Sequence, residues 1–203
     1  LALSNRALLR EQAARADALL IGCGLGSRPG TEELVLGLLA SSDRPTVLDA
    51  DGINILARHI PIGKTGNAPW VLTPHPGEMA RLTGLSIPEI QANRQEVARR
   101  FAREHGVTVV LKGRDTVVAS PDETVLVNPT GNPGMATGGS GDVLAGIIAS
   151  FLAQGMNARD AAMCGVFLHG AAGDRAAERL SQHAMLPTDL IGELGALFLN
   201  LEK

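Results

Sequence analysis

Val107-Thr108-Val109-Val110-Leu111-Lys112-Gly113-Arg114-Asp115-Thr116-Val117-Val118-Ala119-Ser120-Pro121-Asp122-Glu123-Thr124-Val125-Leu126-Val127 contains three β-rich runs, Val107 to Leu111, Thr116 to Ala119 and Thr124 to Val127. The connections between them are too short for a crossover helix, so the runs are expected to pair antiparallel as hairpins. The preceding chain follows a different pattern. Ala18 to Ile21, Pro45 to Leu48 and Trp70 to Thr73 are short apolar runs, and each leads into a helical pattern, at Thr31 to Ala40, from Gly52 and from Pro76. That alternation describes parallel strands with crossover helices. The sequence therefore predicts an α/β fold whose mainly parallel sheet carries an antiparallel edge.

The helix signals are specific enough to test. Thr31 is expected to cap its helix, with Glu32 and Glu33 at the positive end. Ser86-Ile87-Pro88-Glu89 has the spacing of a capping box, and the helix it opens is expected to run to about His105, where Gly106 stops it. An Arg- and Ala-rich helix is expected over Leu1 to Arg15. Beyond the glycine-rich segment Gly131 to Gly141, three helices are expected near Asp142 to Gln154, Ala158 to Leu180 and Thr188 to Leu201. No internal repeat or low-complexity linker interrupts the chain, and residues 1–203 read as one domain.

Composition narrows the function classes. The chain has 203 residues, 45% of them apolar, which suffices for one substantial core. A formal charge of −3, one Trp, four Phe and no Tyr give neither a basic footprint nor aromatic platforms, so no nucleic-acid partner is expected. Cys23 and Cys164 are the only cysteines, which leaves no disulfide framework and no zinc spacing, and implies a reducing compartment. The longest apolar stretch, Val143 to Ala153, is too short for a bilayer. A cytoplasmic protein without a membrane partner is the expectation.

Four places carry candidate chemistry. In Asn132-Pro133-Gly134-Met135-Ala136-Thr137-Gly138-Gly139-Ser140-Gly141-Asp142, Gly138, Gly139, Ser140 and Gly141 bring backbone N–H groups to a helix start, a site for phosphate or developing negative charge. Asp142 there reads either as a general base taking a proton from an attacking hydroxyl or as a favourable helix-start residue. The turn Lys112-Gly113-Arg114-Asp115-Thr116 offers an ammonium, a hydroxyl and backbone groups to a nucleotide, or is an ordinary β-turn. His75, in Thr73-Pro74-His75-Pro76-Gly77-Glu78, stands at a strand end where open sheets bind ligands, or is incidental to a helix opened by Pro76. Gly22-Cys23-Gly24-Leu25-Gly26-Ser27 follows a strand, with Asp49 ending the next, but its spacing departs from the dinucleotide fingerprint, which argues against a Rossmann dehydrogenase. Asp49, Asp51 and Asn54 read as metal or substrate groups or as caps, and no metal ligand is assigned.

Read in order, residues 16–26, 47–54, 73–78, 112–116 and 132–142, with His169-Gly170-Ala171-Ala172-Gly173-Asp174 and Pro187-Thr188-Asp189-Leu190, resemble the ADP/ATP-dependent NAD(P)H-hydrate dehydratases over nearly the whole chain. The resemblance implies a ribokinase-like three-layer α/β/α fold. It implies a metabolite-repair lyase that phosphorylates the ring hydroxyl of NADH hydrate or NADPH hydrate with ADP or ATP and Mg2+ and then eliminates phosphate. It places the nucleotide against Lys112, Gly113, Arg114, Asp115, Thr116 and Gly141, and the hydrated dinucleotide near Gly24, Gly26, His75 and Asp142, with Asp142 catalytic. It also implies a homo-oligomer, a tetramer. Cys23 stands where Pro is usual, Ser140 where Thr is common, and Arg114-Asp115 where smaller residues are usual. Family members begin with further βα units, so the chain is expected to be N-terminally incomplete relative to them. Two other functions remain: a ribokinase-like vitamin or thiazole kinase, using the same loop and base but releasing a phosphorylated product, and a non-catalytic nucleotide-binding module.

Overall fold

Four strands, β1 (Leu19–Ile21), β2 (Thr46–Leu48), β3 (Trp70–Leu72) and β4 (Thr108–Leu111), run parallel in a computed structural model that describes residues 2–26, 28–62 and 68–202. β5 (Val117–Ala119) and β6 (Val125–Val127) extend the sheet antiparallel, as their short connections require, and the six strands lie in chain order. Leu1 and Ser27, parts of two sequence expectations, lie outside the described residues.

Sequential order in a parallel sheet puts every right-handed crossover on the same face. The helices α2 (Pro29–Ser41), α3 (Ala50–Ala57), α4 (Pro76–Thr83), α5 (Ile87–Ala92) and α6 (Arg94–His105) accordingly share one core with Ile21, Leu48, Leu72, Val109, Leu111 and Val117. The opposite face, carrying Val47, Val71, Val110 and Val118, would be left in water by this topology. It is covered by α7 (Ser140–Ala153) and α8 (Ala158–Leu180) through Leu144, Ile148, Leu152 and Val166. Burial on both faces explains why the strands read as unbroken apolar runs. The α1 helix (Arg6–Arg15) lies against α2, and α9 (Pro187–Leu201) against α8.

Two helix expectations are corrected. The second helix begins at Pro29, so Thr31 lies within its first turn, buried, and caps nothing. A proline at a helix start has no N–H to leave unpaired, which moves the boundary upstream of the threonine. The segment after Ser86 does open with the capping box, Ser86 Oγ accepting from Glu89 N at 3.4 Å and Glu89 Oε2 accepting from Ser86 N at 2.8 Å. It breaks at Asn93 (φ −137°, ψ 41°), dividing the expected single helix into α5 and α6. Gly106 then ends α6 in the left-handed region, as read from the sequence.

The carboxyl ends of β1 and β2 approach so closely that one position must lack a side chain. At Gly22, φ is +138° and an added Cβ would lie 1.7 Å from the Asp49 carbonyl oxygen. Gly24, with φ +65°, has nothing within 4 Å of the same position. Gly22→Ala is therefore expected to cost about 2–4 kcal/mol and Gly24→Ala about 1 kcal/mol. Urea midpoints of the two variants check this, and equal losses would contradict the close approach.

Candidate active site

Parallel sheets present their ligand sites at the strands' carboxyl ends, where the helices begin. Here that end is organised around Asp49, the residue after β2. It occupies the N-cap position of α3, yet its side chain makes no cap bond. Almost completely buried, the carboxylate instead accepts from Thr73 Oγ1 after β3 (2.8 Å) and pairs with Lys112 Nζ after β4 (2.6 Å). Glu78, buried in the first turn of α4, is 3.9 Å from the same ammonium. Three strand ends are thus tied by one carboxylate, and Lys112 is held extended across them.

The first turn of α7 faces this group. An added Cβ at Gly141 would lie 3.3 Å from Lys112 Nζ and 3.7 Å from Asp49 Oδ2, so the ammonium sits against the helix start. Asp142, exposed one residue later, has a carboxylate oxygen within 4.8 Å of ligand atoms of Asp49 and Cys23. Burial and then the neighbouring Asp142 and Asp49 carboxylates push the Cys23 thiol up to about 12, so it stays protonated and is no nucleophile. The Ser140 N–H donates to the Thr137 carbonyl (3.3 Å), so the sequence expectation that it joins the anion loop is not met, and the helix start offers an anion the N–H groups of Gly138, Gly139 and Gly141 and an ammonium, beside an exposed carboxylate for a proton. Asp142 does occupy the first helical turn, as its helix-start reading requires.

The other sequence candidates are placed around this centre. Lys112 turns inward, whereas Gly113, Arg114 and Asp115 are exposed and Thr116 Oγ1 donates to the Gly113 carbonyl (2.9 Å). The turn rests on Arg94, whose guanidinium donates to the carbonyls of Leu111 (2.8 Å) and Lys112 (3.4 Å). The Asn93 break puts Arg94 at the head of α6, opposite that turn. His75 is the N-cap of α4: its Nδ1 accepts from Gly77 N (3.0 Å) and Glu78 N (3.3 Å), leaving an exposed ring held in one orientation. Gly24 and Gly26 lie in an exposed loop tied down where Gly26 N donates to Asp51 Oδ2 (2.7 Å). Gly138 and Gly139 are exposed, and Ser140 is buried.

Several residues of the site had little or no signal in the sequence. Asp49 was visible as a strand-end acid, but its partner Lys112 is 63 positions away, and no local pattern joins them. Thr73 and Arg94 looked like ordinary strand-end and helix residues. His169 and Asp174 were visible only as parts of a motif. His169 is buried in α8 with Nε2 2.9 Å from the Ser140 carbonyl and 3.3 Å from Ser140 Oγ.

A family model described as NAD(P)H-hydrate dehydratase matches residues 2–195. The bifunctional NAD(P)H-hydrate repair enzyme of Moorella thermoacetica is 50% identical over 204 residues, covering 100% of this chain and 38% of that protein. The ADP-dependent (S)-NAD(P)H-hydrate dehydratase of Neisseria meningitidis is 47% identical over 161 residues, covering 78% of this chain and 54% of that protein. The chain thus spans between about a third and a little over half of these relatives' lengths. Among solved structures, the ADP/ATP-dependent NAD(P)H-hydrate dehydratase of Bacillus subtilis co-crystallised with ATP and Mg2+ superposes with a TM-score of 0.83 at 34% identity, covering 94% of this chain and 71% of that one. A hydroxyethylthiazole kinase from Pyrococcus horikoshii, with a TM-score of 0.74 at 21% identity, shares the fold.

The buried histidine makes stability depend on pH. Burial chiefly holds His169 down at about 4 from an ordinary 6.5. Between those values the unfolded chain takes up the proton first, so stability is complete above pH 6.5 and falls as pH drops toward 4, by roughly 3 kcal/mol at most. Urea midpoints at intervals between those two pH values are expected to decline in the natural chain and to decline less in His169→Gln. Parallel declines in the two proteins would contradict this.

Proposed function

The chain belongs to the NAD(P)H-hydrate dehydratase family, and from that premise we propose that it restores NADH or NADPH from their hydrated forms at the expense of ADP or ATP. The observation that carries the reading is the convergence of Asp142, the α7 start and the Lys112 ammonium at the carboxyl ends of the strands. A regulatory nucleotide-binding module would have no use for an exposed carboxylate there. The names of the Neisseria and Bacillus relatives supply the substrate and nucleotide classes.

Hydroxide is a poor leaving group, so the ring hydroxyl must be converted before it can depart. In the proposed step Asp142 accepts the hydroxyl proton while the oxygen attacks the terminal phosphorus of the nucleotide, and AMP or ADP leaves. N–H groups of Gly138, Gly139 and Gly141, with the Lys112 ammonium, stabilise the charge on the transferring group. The ring nitrogen's lone pair then expels phosphate from the carbon, and loss of a proton from the neighbouring carbon restores the ring double bond. His75 and the loop of Gly24 and Gly26 are assigned to the dinucleotide. The turn of Lys112, Gly113, Arg114, Asp115 and Thr116, with Gly141, is assigned to the nucleotide.

Magnesium fits the oxygen donors of this end of the sheet. One Asp49 oxygen is committed to Lys112 and Thr73, while the other faces the Asp142 and Cys23 groups. Mg2+ is commonly held by one or two carboxylates together with substrate phosphates, and a thiol is not a favoured ligand. Asp49 would hold the ion with the nucleotide oxygens, where it would neutralise phosphate charge. The reading carries with it a single ribokinase-like domain over 1–203, a cytoplasmic location and a homotetramer, without nucleic-acid or membrane partners. Among the described residues no helix is long and apolar enough to cross a membrane.

Asp142→Asn tests the base. It is expected to fold, to bind nucleotide at least as well as the natural chain and to lose about 10²–10⁴-fold in turnover. If Asp142 only favours the helix dipole, the change costs about 0.3–1 kcal/mol of stability and leaves turnover intact. Turnover is read from the return of the reduced-nicotinamide absorbance when hydrated NADH, Mg2+ and each nucleotide are mixed. A stable phosphorylated product in place of that return would instead identify a small-molecule kinase.

A further inference from the structure

The glycine-rich segment is fastened at both ends to one stretch of α8. At its beginning, Asp174 accepts from Gly131 N with Oδ2 (2.9 Å) and from Asn132 Nδ2 with Oδ1 (3.0 Å), and Asn132 Oδ1 accepts from Gly134 N (3.0 Å). Two glycines of the helix let the segment lie this close. An added Cβ at Gly170 would be 2.1 Å from Thr130 Oγ1, and one at Gly173 would be 2.3 Å from Met135 Sδ. Positions 170, 173 and 174 form one stripe of the helix at i, i+3 and i+4. At the far end of the segment, His169 on the same helix meets Ser140, the first residue of α7.

The contact with Ser140 fixes the histidine's tautomer. A carbonyl oxygen can only accept, so at 2.9 Å the Nε2 atom must carry the proton. The peptide between Ser140 and Gly141 is planar and trans, so its C=O and N–H point in opposite directions. Anchoring the carbonyl toward His169 therefore directs the Gly141 N–H away from that histidine, in a residue whose added Cβ would lie 3.3 Å from Lys112 Nζ and 3.7 Å from Asp49 Oδ2. The first turn of a helix lacks intrahelical partners for its N–H groups and is the part that frays most readily, so a second bond on this peptide restrains the group that must stay aimed.

We infer that α8 is the template for the anion loop, with His169 and Asp174 as positioning residues that hold its two ends so that the Gly141 N–H is aimed at the transferring phosphoryl group before substrate arrives. The inference rests on the function proposed above. Neither side chain touches substrate in this scheme. His169 acts through the Ser140 peptide, and Asp174 acts through Gly131 and Asn132.

The test uses the full chain and two readouts. The first is the ¹⁵N–¹H spectrum of the histidine rings at pH 7, which requires no turnover and therefore stands even if the dehydratase reading fails. It is expected to show His169 as the Nε2–H tautomer, and the Nδ1–H tautomer would overturn the inference. The second compares His169→Gln, which keeps a neutral N–H donor, with His169→Leu, at a temperature where both are folded. A misplaced catalytic group commonly costs up to about 10²-fold, so Leu is expected to lower kcat by about 10–10²-fold with KM for hydrated NADH little changed, and Gln to restore most of it. A folded Leu variant with natural kcat, or equal losses in Gln and Leu that follow their melting temperatures, would show that His169 only packs. Should Leu not fold, the tautomer and the Gln variant decide: natural-like kcat in Gln supports the inference, and a loss of 10-fold or more overturns it.

Discussion

The ion pair of the buried Asp49 with the half-buried Lys112 sets the arrangement of the strand ends around the site. Withdrawing a carboxylate such as that of Asp49 from water is costly, and an apolar pair of similar size is often as stable or more so. The pair is therefore a poor explanation of why the chain folds and a good one of why the strand ends take a single arrangement. It spans β2 to β4, draws in Thr73 from β3 between them, and leaves the ammonium against the first turn of α7. Phosphate chemistry needs its positive groups in place beforehand, since reorganising them during the reaction would add to the barrier.

The rest of the fold supplies the two surfaces that meet at this pair. Because the parallel strands follow in chain order, one face of the sheet is clothed by the crossover helices, and the other is free to receive α7 and α8 from the C-terminal third. The glycine-rich segment must cross from the antiparallel edge to that second face, arriving with the helix start aimed at the strand ends. Gly22 permits the tight approach of the β1 and β2 ends beneath it. The carboxylate that would take the proton and the N–H groups that would hold the phosphoryl group thus come from the first turn of α7 and the two glycines before it, and the ammonium comes from the residue after β4.

Much of this architecture was legible in the sequence, for local reasons. Connections of four or five residues between the runs around Leu111, Thr116 and Thr124 exclude a crossover, so the antiparallel edge follows from chain length alone. Pro76, Ser86 and Gly106 mark helix ends through backbone chemistry that acts within a few residues. What failed was also local: Thr31 looks like a cap until Pro29 starts the helix two residues earlier, and Asn93 breaks a run whose polar and apolar spacing continues through it. The site was legible as separate segments and not as an arrangement. Asp142 stood out through the glycines before it, but the pairing of Lys112 with Asp49, the bracing of its turn by Arg94 and the contact of His169 with Ser140 are tertiary facts joining residues 17 to 63 positions apart.

In the proposed reaction the hydroxyl leaves as phosphate, after a phosphoryl group has been transferred to it. Isotope tracing tests this most directly. Hydrated NADH carrying ¹⁸O in the ring hydroxyl is incubated with the protein, Mg2+ and ADP or ATP, and the inorganic phosphate is examined by mass spectrometry. One ¹⁸O is expected in each released phosphate. Recovery of the label in water, with unlabelled phosphate, would mean that the hydroxyl departs without being phosphorylated and would contradict the proposed reaction.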